Sequence, residues 1–190
     1  MYKHKTFLPD ELKGENIEKE TFAHCVFTGV NLKLTSFANC VFDTCDFTGV
    51  KFEMTGFSFC TFAGSKMSNF DFSEARFFSC DFSQAIMQNC IFQMFKTGEK
   101  NVRQKLNLHT CTFTNVDLSN SVFVLCSLKK TAFSGSNLHK VIFDKCDLTD
   151  ANFVDATTDG VSFEDCIIRN TALDLMGCIH YTAAKGFVVG

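Results

Sequence analysis

The chain has 190 residues, 46% of them apolar and 21% charged, with a formal net charge of −3. That is enough for one domain with a continuous core, and it gives no basic field for gripping nucleic acid. No apolar stretch approaches the ~18 residues of a membrane span, and the opening MYKHKTFLPD holds no apolar run of a signal peptide, so a cytoplasmic protein with no membrane contact is expected.

Residues 1–21 carry mixed charge and the single proline, Pro9. They read as an N-terminal cap and lead-in, because Ile17 already stands in phase with Phe22, Phe27 and Leu32. From Phe22 to Phe92 an apolar centre recurs every fifth residue without a polar exception, and the residue two before each centre is mostly small. A period of five fits neither the 3.6 of a helix nor the 2.0 of a flat strand. Self-similarity carried this far predicts a repeat architecture, in which each unit buries its apolar residues only by stacking on its neighbours.

The segment FKTGEKNVRQK, 95–105, interrupts the period and reads as an eleven-residue loop with a net charge of +3. An insertion into a regular repeat is either a binding loop on one face or a tolerated surface excursion, since loop-closure entropy penalises length only weakly. The centres resume one position out of phase at Leu108 and continue to Leu173, with Thr158 the one polar member. In all, 18 of the 24 Phe fall on centres. The tail from 174 to 190 loses the period. Residues from Cys178 to Lys185 suit a short helix stopped by Gly186. Met176, Ile179, Tyr181, Phe187, Val188 and Val189 offer more apolar surface than a monomeric cap requires, which favours a symmetric C-terminal homodimer.

Ten of the eleven Cys sit at the small position two before a centre, where a free thiol behaves as a small buried hydrophobe; Cys178 lies outside the repeats. There is no C-x-x-C pair, no H-E-x-x-H, no glycine-rich phosphate loop and no Ser-His-Asp or Cys-His spacing. No metal, cofactor or catalytic site is therefore expected. Asp46, Asp81, Asp117 and Asp147 stand immediately before a centre, where a carboxylate favours local turn hydrogen bonds. The chain reads as a binding surface rather than an enzyme.

The pentads CDFTG at Cys45, CDFSQ at Cys80, VDLSN at Val116 and CDLTD at Cys146 resemble the consensus of the pentapeptide-repeat proteins. That resemblance implies an all-β fold, a right-handed quadrilateral parallel β-helix with four pentads per coil and a short C-terminal helix. Cysteines 25 and 45, then 40, 60 and 80, then 126, 146 and 166 recur at the twenty-residue interval such a coil requires. Within this class, the lead-in GENIEKETFAHCVFTGVNL and the tail YTAAKGFVVG are similar to the Qnr and MfpA group. The break at 95–105 lies near the larger of the two Qnr loops, and the smaller, earlier one has no counterpart here.

The closer resemblance implies a homodimer, joined through its C-terminus, that binds DNA gyrase or topoisomerase IV and protects it from quinolones. Phe95, Lys96, Lys100, Arg103 and Lys105 would then be the partner-contacting loop residues. Two other roles remain open on the same fold: immunity to a self-made gyrase poison, and a structural or interaction solenoid with no topoisomerase target.

Overall fold

The computed structural model describes residues 1–94 and 105–188. The chain winds into about eight coils, each returning to the same position after twenty residues. Every strand pairing is parallel and in register: Phe22 stands over Phe42, Phe37 over Phe57, and Phe123 over Phe143. The strands are two to four residues long, because the chain turns a corner at every pentad.

The corners explain the spacing. At many of them the N–H three residues beyond a centre donates to that centre's C=O, as Val30 to Phe27 at 2.9 Å and Ala85 to Phe82 at 2.9 Å. The residue between them takes a left-handed φ near +50 to +70°, at Gly29, Gly49, Asn115 and Lys130 for example. The expected Asp and Asn turn bonds are present as well. Asp46 Oδ1 accepts from Thr48 N at 2.9 Å, and Asp81, Asp117 and Asp147 accept from the N–H two residues on.

Four columns of centres fill the interior, one beneath each face. On the first face Phe22, Phe42, Phe62, Phe82, Phe113, Phe133 and Phe153 stack with ring centroids 4.9–5.5 Å apart. Phe7, Phe27 and Phe47 head the second column, Phe72, Phe92, Phe123 and Phe143 belong to the third, and Phe37, Phe57 and Phe77 to the fourth. Rings of adjacent columns meet edge to face, as Phe77 with Phe82, and so do rings of opposite columns across the interior, as Phe123 with Phe133. Each fully buried ring contributes about 1.5–3 kcal/mol by removal from water, plus a smaller gain from its aromatic contacts.

Two features extend the sequence reading. Counting regular pentads gives about seven coils, but the lead-in is itself a coil. Tyr2–Lys3 pairs with Thr21–Ala23, the Tyr2 ring stacks on Phe22, and Phe7 and Leu12 are buried. Across the insertion the pairing offset grows by eleven residues, from 20 to 31, as in Asp81 with Thr112 and Ile86 with Asp117.

The small inward residue does more than leave room. Its hydroxyl or thiol donates to the C=O of the centre one coil earlier: Thr35 to Leu12, Thr55 to Leu32 and Ser65 to Phe42 at 2.7–3.0 Å, and Cys45, Cys60, Cys80 and Cys146 likewise at 3.3–3.5 Å. Ser, Thr and Cys alternate here because each combines small volume with a donor. Thr131 makes no such bond: its hydroxyl is the one buried side-chain N or O atom without a hydrogen-bond partner among the described residues. The thiols are free and mostly buried. Burial pushes Cys45 and Cys90 up to about 12 and Cys111 to about 11.

Candidate interaction surfaces

At the C-terminal end the last coil is closed by a helix, Leu175–Ala184, which begins earlier than its sequence signals suggest. Asp174 caps it, accepting from Gly177 N at 2.7 Å and, through its other oxygen, from Asp155 N of the coil beneath at 2.9 Å. The bonds from Gly177 and then Asp155 hold the Asp174 carboxyl below its ordinary value. Gly177 is the helix's buried residue; a Cβ there would come within 2.9 Å of Leu173 Cδ2. Lys185 ends the helix, and Gly186 follows with φ +87°.

The polar centre Thr158 now has an explanation. It is 3% exposed, and its Oγ1 lies 3.1 Å from Nδ1 of His180 on the helix. An apolar residue at 158 would continue the column; the threonine instead ties the cap to the last coils. Tyr181 meets Phe163 edge to face at 5.9 Å.

The cap does not finish the burial. A cavity of about 180 Å³ remains between Phe163, Ile168, Thr171, Leu173 and Tyr181. In this last coil and the segment after it Ile167, Ile168, Leu175, Met176, Phe187 and Val188 are exposed, Leu175 at 77% and Val188 at 96%. Of the residues expected at a dimer junction, Met176, Phe187 and Val188 face solvent, while Ile179 and Tyr181 are half-buried against their own chain. Val189 lies outside the described residues. Leu175, Ile167 and Ile168 join this apolar end although the sequence reading did not select them. Ile167 and Ile168 sit within regular pentads, where period alone does not distinguish a covered coil from the last one. Cys178 is exposed on the same helix.

Of the loop residues, Phe95, Lys96, Lys100 and Arg103 lie outside the described residues, and Lys105 is exposed where the chain re-enters the coil. One coil before the insertion, a groove of about 480 Å³ opens at the corner between the third and fourth faces, over Gly56 and between Met54, Glu74 and Arg76. Among the described residues no group of three or more His, Cys, Asp or Glu is placed to hold a metal, and no helix is long and apolar enough to cross a membrane.

Comparison with known families decides what the coil is. A family model described as a pentapeptide repeat region matches residues 104–176, and one for pentapeptide repeats in eight copies matches residues 21–54 and 57–93. The chain belongs to the pentapeptide-repeat family. No curated protein sequence matches it at a significant level. Among solved structures it is similar to two trypsin-treated forms of QnrB1, described as a plasmid-mediated fluoroquinolone resistance protein. One has a TM-score of 0.70 at 17% identity, covering 100% of this chain and 97% of that one. The other has a TM-score of 0.65 at 19% identity, covering 99% and 98%. At these identities the likeness is one of fold, and it extends over the whole length of both pentapeptide-repeat rods.

Proposed function

We propose that this pentapeptide-repeat protein is a non-enzymatic, cytoplasmic binding protein that engages bacterial DNA gyrase or topoisomerase IV and protects it from quinolones. It works as a homodimer joined at the C-terminal ends. The observation that carries the reading is end-to-end correspondence with a fluoroquinolone resistance protein, TM-score 0.70 over nearly all of both chains. The lead-in, the position of the insertion and the apolar C-terminal end support it.

The geometry suits the role. Eight coils at ~4.8 Å each make a rod of roughly 38 Å, and two joined end to end match about 22 base pairs of duplex at 3.4 Å per step. Residues 106–174 carry a net −4, a field to which a DNA-gripping surface is attracted. Among the described residues the repeat thiols are mostly buried, and burial holds Cys45 and Cys90 protonated. The outer surface carries the function, and the insertion at 95–105 supplies a contact to the enzyme.

The test is gyrase supercoiling in the presence of a fluoroquinolone at increasing protein concentration. Recovery of activity is expected, and deletion of 95–105 should lower it while leaving the melting temperature unchanged. No recovery, together with no effect on supercoiling without drug, would refute the proposal.

A further inference from the structure

The edge of the rod between the fourth and first faces carries side chains that folding does not explain. Coil by coil, the outward positions there pass from Asn39 to Phe59 and Phe78, then to His109, then to Lys129 and Lys130. Phe59 N donates to Phe78 O at 2.8 Å and Ser79 N to Thr110 Oγ1 at 3.0 Å, which fixes these coils as neighbours. The Phe59 and Phe78 rings touch edge to face at 5.2 Å, yet they remain 54% and 50% exposed. Every other Phe in the described coils is buried or packs against the core column.

Phe59 also sits at a left-handed corner, φ +54°, where Asn39 stands one coil earlier. A bulky side chain is disfavoured at that φ. Leu34 and Met54 are bulky, exposed residues at such corners too, so it is the pair of exposed rings in contact, and not the corner alone, that points to a use outside the fold. Beyond the aromatic pair the edge carries Lys129 and Lys130, with Thr149 and Asp150 one coil further on. Lys129 reaches Asp147 at 3.1 Å, whereas Lys130 forms no ion pair among the described residues. The order along the rod is therefore an apolar anchor site followed, two coils on, by positive charge.

We propose that this edge is a docking site for an acidic protein segment with an aromatic or aliphatic anchor, the anchor seated on Phe59 and Phe78 and its carboxylates on Lys129 and Lys130. The charge order selects the occupant. A second copy of the same edge, laid antiparallel, would bring its Phe pair onto Lys129 and Lys130, and laid parallel would oppose lysine to lysine. The inference rests on the reading of this protein as a partner-binding rod, and not on which enzyme is the partner.

The test uses a fluorescein-labelled synthetic peptide with two phenylalanines followed by a run of glutamates, and measures anisotropy on the full-length protein. Saturable binding that weakens with added salt is expected. Phe59→Asn with Phe78→Ser should lower affinity on the order of tenfold, as should Lys129→Glu with Lys130→Glu. Phe59→Asn alone should melt at or above the parent, because the asparagine relieves the left-handed corner; a lower melting temperature would assign Phe59 a structural role and overturn the proposal. Absence of peptide binding would also overturn it. So would equal binding of a lysine-substituted peptide, or preference for a single-stranded oligothymidylate. If supercoiling protection fails while the peptide binds, the topoisomerase reading falls and the edge stands. If protection holds without peptide binding, the edge falls alone.

Discussion

The body of the rod and its C-terminal end are built from the same pentads, but they leave their apolar side chains in opposite conditions. In the body each ring has a ring or aliphatic group above and below, and most inward hydroxyls and thiols donate to the coil beneath. At the end Phe163 and Leu173 are only partly buried, a cavity opens beside Tyr181, and Leu175, Met176, Phe187 and Val188 stand in water. A stacked repeat satisfies every coil except its last, so a solenoid has to solve its end separately. This chain does so with one short helix that covers part of the final coil and carries apolar residues on its outside.

The comparison breaks most visibly where a ring is removed from the body. Phe143→Ala leaves a void between Phe123 and Phe163 and should cost about 3–5 kcal/mol in denaturant unfolding. A loss under 1 kcal/mol would mean that the column does not hold the fold. At the junction of the two regions, His180→Ala strands the buried Thr158 hydroxyl and should cost about 1–3 kcal/mol. Thr158→Val in that background should recover part of the loss, giving a coupled double-mutant cycle; additive effects would place the helix off the coil.

The thiols sharpen the contrast by pH. Cys45, Cys90 and Cys111 titrate higher folded than the value near 9 of an unfolded thiol, so their contribution is complete below pH 9 and is lost as pH rises from 9 toward 12. Stability should fall over that window by about 1 kcal/mol per pH unit for each such thiol. Replacing Cys90 with Ser should make the slope shallower. At pH 8 an aromatic disulfide reagent should modify Cys178 rapidly and the repeat thiols only on unfolding. Rapid reaction of several thiols would contradict the packing.

The smallest effects separate donors that are used from one that is not. Thr55→Val removes the bond to Leu32 O and should cost about 1 kcal/mol, whereas Thr131→Val removes an unpartnered hydroxyl and should be neutral or stabilising. Lys130→Ala, on the outside, should lie within about 0.5 kcal/mol of the parent.

Much of this was legible in the residues. The fifth-residue period placed the centres from Phe22 to Thr158 on the inside, while in the last coil Phe163 and Leu173 are only partly buried and the centre Ile168 is exposed; the twenty-residue recurrence of Cys40, Cys60 and Cys80 gave the coil length. The first coil was harder to see, because Tyr2, Phe7 and Leu12 keep the phase among charged neighbours without the small residue and Asp that flag a pentad. Thr158 stood out only as the one polar centre, since its partner His180 lies 22 residues away in a segment with no period. The donor role of the thiols was invisible for a similar reason: the acceptor is a backbone carbonyl of the preceding coil, and composition registers only the small volume. The exposed Phe59 and Phe78 fell off the centres, and period alone says nothing about what an off-centre ring is for.

The most direct test of the difference between body and end is sedimentation equilibrium at micromolar concentration, comparing the parent with Leu175→Glu/Met176→Glu. A dimeric parent and a monomeric variant with the same melting temperature would show that the end is made to be covered by a second copy. A monomeric parent, or a variant that remains dimeric, would contradict the account.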